Sequence, residues 1–314
     1  MSAAPSTEAG KPPALIAWFD SWALHADTVD ERERRVEWLR VLPFLGMHAA
    51  CLLVLVVGWS PAALAVAAGL YLIRMFGITA GYHRYFSHRS FRTGRGFQFV
   101  LALLGAMAVQ RGPLWWAAHH RAHHRHSDRE QDEHSLKQHG FWWSHCGWFT
   151  SRWNHRTRVE LVPDWLRYPE LVFLDRFDFV VPVLYALAML GLGALLEAVA
   201  PAWGTGPWQM LVWGFFVSTA VLYHGTFTIN SLAHRFGSRR FDTADDSRNN
   251  GWLALITLGE GWHNNHHRYP NSARQGFYRA EFDPCYWALR GLAAVGVVRG
   301  IREVPARILE EGAR

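Results

Sequence analysis

Trp115–Asp128, WWAAHHRAHHRHSD, packs five histidines, His119, His120, His123, His124 and His126, into eight consecutive positions. Read as a helix, it puts His120, His123 and His124 at i, i+3 and i+4, so three imidazoles share one face. A hydrophobic core has no use for them, because every buried polar ring must find a partner. A metal ion partners all three, and imidazole suits iron, copper and zinc. Taken alone, the stretch also reads as a solvated basic helix end.

The pattern recurs. His263, His266 and His267 in WHNNHH repeat the spacing, His83 and His88 in HRYFSH stand five apart, and Asn230 and His234 in NSLAH stand four apart. Nine histidines and an asparagine from four segments exceed the four ligands of a structural zinc. They suffice for two metals with four or five ligands each, an arrangement suited to activating water or oxygen between the ions. The set contains no carboxylate, unlike the glutamate-rich di-iron bundles.

GITAGYHRYFSHRSF, HHRAHHRHSD, NSLAHRFG and GEGWHNNHHRYP resemble, in content and order, the histidine boxes of the membrane-bound acyl-CoA and acyl-lipid desaturases, the stearoyl-CoA desaturase family. The resemblance runs from about Gly77 to Tyr278. One HxxHH is a weak signal; four boxes in the family's order are specific. The resemblance implies two non-haem irons, replaceable by zinc in purified material, and an O2-dependent removal of two hydrogens from an unactivated acyl chain. It implies that His83, His88, His120, His123, His124, His234, His263, His266 and His267 ligate the metals, with Asn230 acting through water. His119 and His126 fall outside the family's pattern. A cis double bond near the middle of the chain, at Δ9, is also what the resemblance implies; no residue spacing measures nine carbons.

The substrate's carrier is less clearly marked. Animal acyl-CoA members carry an asparagine and an arginine before the central box that grip CoA, and the matching positions here are Arg111 and Ala118. Of the Arg-Lys pair that follows Gly147-Trp148 in those members, Arg152 remains and Trp153 replaces the lysine. Gln110 and Trp116 match. Gln110, Trp116, Trp148 and Arg152 are therefore the candidate substrate contacts. GPLWWAAHHRAHHRHSD is similar to bacterial and acyl-lipid members, so a long-chain acyl-CoA and an acyl-lipid both remain open, and a bacterial inner membrane is the implied location. No HPGG motif of a fused cytochrome b5 occurs, so electrons are expected from a separate ferredoxin- or cytochrome b5-like protein.

Working outward, four apolar segments appear in two pairs. Val41–Trp59 and Ala62–Ala80 are joined at Ser60-Pro61, and Val180–Ala200 and Pro207–Phe227 by PAWGTG. Each is near the ~20 residues of a spanning helix. Neither connector holds Lys or Arg, whereas the flanks are rich in Arg, so both hairpin turns face outward and both termini are cytoplasmic. Every histidine box then falls on one side. The expected architecture is an all-α integral membrane protein with a helical cytoplasmic cap. Its organisation is a leader and amphipathic segment (1–40), a first hairpin (41–80), cap (81–179), a second hairpin (180–227) and cap again (228–314).

Smaller features fit around this frame. Residues 1–13 read as a disordered leader, without the basic n-region of a secretory signal, and Ala14–Arg40 as an amphipathic surface segment. Phe97–Val109 is too short to span, and the aromatic Gly140–Trp153 suits a lipid entrance or interface. Cys285–Arg314 reads as a surface helix and tail. Arg74, inside the second apolar segment, calls for structural partners or a substrate role. His48 and His224 read as core histidines rather than ligands. Asp128, Asp132, Glu133, Asp245, Asp246 and Glu260 lie near the boxes, where they could orient imidazoles.

A net charge of +6 with 50% hydrophobic residues and no long basic run suits an anionic membrane surface rather than nucleic acid. Cys51, Cys146 and Cys285 lie far apart, without a CxxC pair, which argues against disulfide scaffolds and thiolate metal sites. Two other classes compete: a membrane di-iron hydroxylase of the alkane, fatty-acid or sterol type, told apart by its product, and a metal-transport protein. Transporters place ligands near the bilayer midplane, whereas these boxes lie at or beyond the ends of the apolar segments.

Overall fold

Proline, glycine and serine set the limits of the longest helices. The computed structural model describes residues 19–23 and 36–313, so the expected leader and most of the amphipathic segment lie outside the described residues. Four helices are long and apolar enough to cross a membrane: α1 Trp38–Val57, α2 Pro61–Ser87, then α6 Val180–Val199 and α7 Pro207–His234. Between α2 and α6 come α3 Arg95–Ala106, α4 Pro113–His126 and α5 Pro169–Arg176. After α7 come α8 Gly251–Ile256, α9 His263–Arg268, α10 Pro284–Ala294 and α11 Ala306–Glu311.

Gly58, at φ 63°, ends α1 in a conformation that suits glycine. The Ser60 hydroxyl then accepts the Ala63 N–H at 3.0 Å, and Pro61 opens α2. Leu55, Val56, Leu184 and Val199 stay exposed on the helices, as lipid-facing side chains would be. The connectors lie side by side, with the Ser60 and Thr205 hydroxyls 2.5 Å apart. At the same end the Gln209 amide donates to the Val57 carbonyl and the Trp213 indole to the Gly58 carbonyl.

The second and fourth apolar segments run further than hydropathy indicates. α2 continues to Ser87 and α7 to His234, because polar residues that end an apolar run do not end a helix. Over Gly77–Ser87, α2 widens into a π-helix, and the His88 N–H bonds back to the His83 carbonyl at 3.2 Å. Residues five apart on an α-helix point about 140° from each other. The wider turn brings the His83 and His88 rings to 4.9 Å.

Arg74 is fully buried and held by neutral oxygens: Thr219 Oγ1 at 2.6 Å, Ser218 Oγ at 2.5 Å and the Leu70 and Met107 carbonyls. It also lies 5.0 Å from the Tyr185 ring centroid. These are the structural partners that a cation inside an apolar helix needs, and they bind α2 to α7.

The histidine helix α4 is capped from outside. Gly112 offers no side chain, and the Asp175 carboxylate of α5 accepts the Leu114 and Trp115 N–H groups at 2.9 and 2.7 Å. A Cβ on Gly112 would lie 2.3 Å from Asp175 Oδ1, so the cap requires glycine there. The core joins the end of α2, α3, α4 and α5 through Tyr82, Phe86, Leu101, Leu114 and Leu171.

The C-terminal region is more firmly packed than its sequence indicates. Cys285 and Leu289 are buried on α10, β2 (Val298–Arg299) pairs antiparallel with β1 (Arg92–Thr93), and Ile308 of α11 packs with Phe241 and Phe277. Partners about 200 residues away in the chain leave no trace in local periodicity.

Candidate metal centre

The nine boxed histidines meet in two groups. His83, His88, His120, His124 and His266 form one, and His123, His234, His263 and His267 the other, with the ligand atoms of each group within 4.8 Å of one another. Four elements supply them: the end of α2, α4, the end of α7, and α9. On α4, His120 and His124 face one group and His123 the other.

Carboxylates orient the rings. His123 turns Nδ1 to Asp132 at 3.1 Å, His234 to Asp128 at 2.9 Å and His267 to Asp245 at 2.7 Å, and His83 turns Nδ1 to Glu260. A carboxylate only accepts, so each Nδ1 carries the proton and each Nε2 directs a lone pair inward. Burial, reinforced by neighbouring imidazoles, holds His88, His120, His124, His263 and His266 well below the usual histidine range. Burial also pushes His267 down to about 4. These rings are neutral, the form that ligates metal.

The donor set fits a pair of cations. Nε2 atoms face one another at 3.0 Å between His83 and His266, 2.9 Å between His266 and His124, and 2.8 Å between His88 and His120. His234 and His263 face at 3.1 Å. Converging lone pairs repel unless a cation lies among them, and imidazole nitrogens serve iron and zinc alike. His263 Nδ1, His266 Nδ1 and His267 Nε2 are buried without a hydrogen-bond partner.

Not every nearby polar residue joins. His119 is held by Glu133 at 2.5 Å and the Arg156 carbonyl at 3.2 Å, so Glu133 serves a ring outside both groups. The Asp246 side chain turns to Lys137 instead, 3.4 Å away. His48 and His224 are not core residues: their Nε2 atoms meet at 3.1 Å on a half-exposed face, and His224 Nδ1 continues to His145 at 3.0 Å. His134 escaped the sequence reading because it matches no box spacing; it stacks 4.3 Å from His123 beside Asp132.

Two connected cavities reach the centre. The larger, about 500 Å³, is lined by Gln110, Trp116, Trp148, His120 and Asn230 among others. The smaller, about 40 Å³, lies against His83, His120, His123 and His263, and shares Trp116, Thr226 and Asn230 with the first. Trp116 stacks on His120 at 5.0 Å, and the Gln110 amide donates to Thr226 Oγ1 at 3.0 Å. Arg152 is exposed and lies off the lining, whereas Arg40, Arg111, His155 and Asp178 are on it.

Asp132→Asn should weaken metal retention about 10–100-fold, because the amide can no longer hold His123 in the same charged hydrogen bond. Competition with a chelator checks this, and unchanged retention would refute the role.

The sequence profile of the family described as fatty acid desaturase matches residues 57–290. The chain is 35% identical over 277 residues to an sn-2 palmitoyl-lipid 9-desaturase of Nostoc sp. (strain 36), covering 86% of this chain and 92% of that protein. It is 36% identical over 271 residues to an sn-1 stearoyl-lipid 9-desaturase of Anabaena variabilis, covering 85% and 94%. An acyl-CoA 5-desaturase of Anemone leveillei is 33% identical over 294 residues, covering 89% and 86%. A match over most of the length, together with two histidine groups able to hold metal and four membrane-length helices, places the chain in the fatty acid desaturase family, as an oxidoreductase of lipid metabolism.

Proposed function

We propose that the protein inserts a cis double bond at Δ9 of a long-chain acyl group, using O2 and two irons held by the nine histidines. The observation that carries this reading is the contact between both histidine groups and a connected apolar cavity. A saturated chain offers no acidic proton and no electrophile, so acid–base and nucleophilic catalysis have nothing to act on. Two bound irons would supply the reductive activation of O2 that such a substrate requires.

The chain's own residues do the rest. His83, His88, His120, His124 and His266 hold one ion, and His123, His234, His263 and His267 the other. Asn230, on the lining of both cavities, is placed to hold a water at the four-histidine ion. Trp116 packs against His120 and walls the reacting carbons, Gln110 fixes Thr226 beside them, and the apolar walls exclude water. Relatives bearing the name 9-desaturase support the Δ9 position.

α1–α2 and α6–α7 form two hairpins with outward-facing connectors, and the histidines lie in a cytoplasmic cap of a bacterial inner membrane. The Ser60–Thr205 contact supports this by placing the connectors together. A ferredoxin- or cytochrome b5-like donor would meet the basic cytoplasmic face. Cysteines placed at Ser60 and Gly204 should label only from outside, and labelling from the cytoplasm would reverse the topology.

The test of function is lipid analysis of a host without a desaturase of its own. Palmitoleate or oleate is expected, and hydroxylated acyl chains would overturn the reading in favour of a hydroxylase.

A further inference from the structure

The larger cavity is sealed on one flank and open on the other. Towards α7, the His48–His224–His145 chain closes the wall, ending on Ser231 Oγ 2.9 Å from His145 Nδ1. Inside it, Phe44 packs 5.4 Å from Phe149 and 5.7 Å from Tyr223. These contacts join α1, α7 and the aromatic segment. Towards α6, the lining residues are exposed: Pro43 on α1, Val183 on α6, with Phe179 just before it. Val183 keeps 50% of its surface and Phe179 37%. Behind them the lining turns apolar, through Met47 and Ala186.

The mouth is charged. Arg40, in the first turn of α1, lies among Arg111, Arg152, Glu37 and Asp178, three cations against two carboxylates. Arg111 is fixed by Asp178 at 3.2 Å and by the His155 carbonyl at 2.7 Å. Asp175, the next carboxylate inward, is committed to the N-terminus of α4. The mouth therefore carries one positive charge in excess, where helices that span a membrane begin. A single phosphodiester there would balance the charge and reduce the repulsion between the Arg40 and Arg111 guanidinium groups.

We propose that the substrate chain enters sideways from the bilayer, between α1 and α6, while still esterified to an anionic glycerophospholipid whose phosphate rests at Arg40. This rests on the desaturase reading and names the carrier of its substrate. A headgroup at the mouth stays in the interfacial layer, and the chain passes Met47 and Ala186 towards Trp116 without crossing water. A water-soluble thioester has no need of an opening that faces lipid.

The test is photo-crosslinking of the full chain in vesicles, read by mass spectrometry of labelled peptides. The probe is phosphatidylglycerol with a diazirine in one acyl chain, and the comparison is acyl-CoA bearing the same chain. Phosphatidylglycerol should label interior residues such as Trp116 and Phe227. Val183→Trp, which fills the opening, should cut interior labelling at least tenfold while leaving labelling of the lipid-facing Leu184 and Leu187 intact. Arg40→Gln should cut it for phosphatidylglycerol but not for a diacylglycerol probe without phosphate, which keeps the proposal testable if the tryptophan variant does not fold. Interior labelling by acyl-CoA alone, or by both probes regardless of Val183→Trp, would overturn the lateral route. Acyl-CoA labelling at Trp116 would leave the desaturase reading standing; no interior labelling by either probe would count against both.

Discussion

His266→Ala should leave the protein in the membrane with about one bound metal instead of about two, and with no detectable unsaturated product. His266 is the hinge of the five-histidine group: its Nε2 lies 3.0 Å from that of His83 and 2.9 Å from that of His124. Removing it leaves four nitrogens around a hole that His83 and His124 cannot both relax to fill, because Glu260 holds His83 and α4 holds His124. Loss of an outer partner costs about 10–100-fold in metal affinity or activity. Loss of a central nitrogen should exceed that, dropping product more than about 100-fold. Elemental analysis of the purified protein and fatty acid profiles of the host measure the two effects separately. Two metals and an unchanged profile would remove His266 from the ligand set.

Arg84→Met should produce the largest loss of stability of any single change considered. Arg84 and Asp283 are each about 1% exposed, with Nη1 and Oδ1 3.0 Å apart, and Nη2 reaches Glu260 at 3.5 Å. The same guanidinium donates to the Ala273 carbonyl at 2.7 Å. Methionine fills much of the volume but leaves two buried carboxylates without their cation, a defect of about 3–5 kcal/mol. The apparent melting temperature should fall by roughly 10 °C. Because Glu260 also orients His83, metal retention should decline in parallel. Arg95→Met, which breaks the exposed pair with Glu170, is the control and should melt like the parent. Equal melting of the two variants would show that the buried ion pair contributes nothing.

How legible each feature was depends on its range along the chain. The two HxxHH runs announce a shared face because α-helical spacing is local, and the structure forms both as helical turns. His83 and His88 fit no α-helical face; the π-helix that unites them arises from packing against α3, not from propensity. The carboxylates beside the boxes were visible, but their assignments were not. Asp245 reaches His267 across 22 residues, Asp128 reaches His234 across 106, and Asp246, next to Asp245, turns away. Arg40 and Asp178 meet at the mouth from opposite parts of the chain, which no motif records. The C-terminal stretch looked peripheral because its partners are remote, and His224 looked buried because an apolar helix surrounded it in sequence.

The wide turn in α2 also has a bearing on chain length. Each residue of an α-helix adds about 100° of rotation and 1.5 Å of rise. Between Arg74, fixed by Ser218 and Thr219, and His88, fixed against His120, the helix is clamped at both ends. Deleting one residue there, or adding one, would put His88 out of phase with His83 even if every remaining side chain were kept. Lipid-facing positions such as Leu72 and Ile73 can exchange one apolar residue for another, while the count of residues from 74 to 88 cannot change. The π-turn makes this segment a ruler, tolerant in spelling and intolerant in length, and the outward connector at Ser60 is where the chain can take an insertion instead.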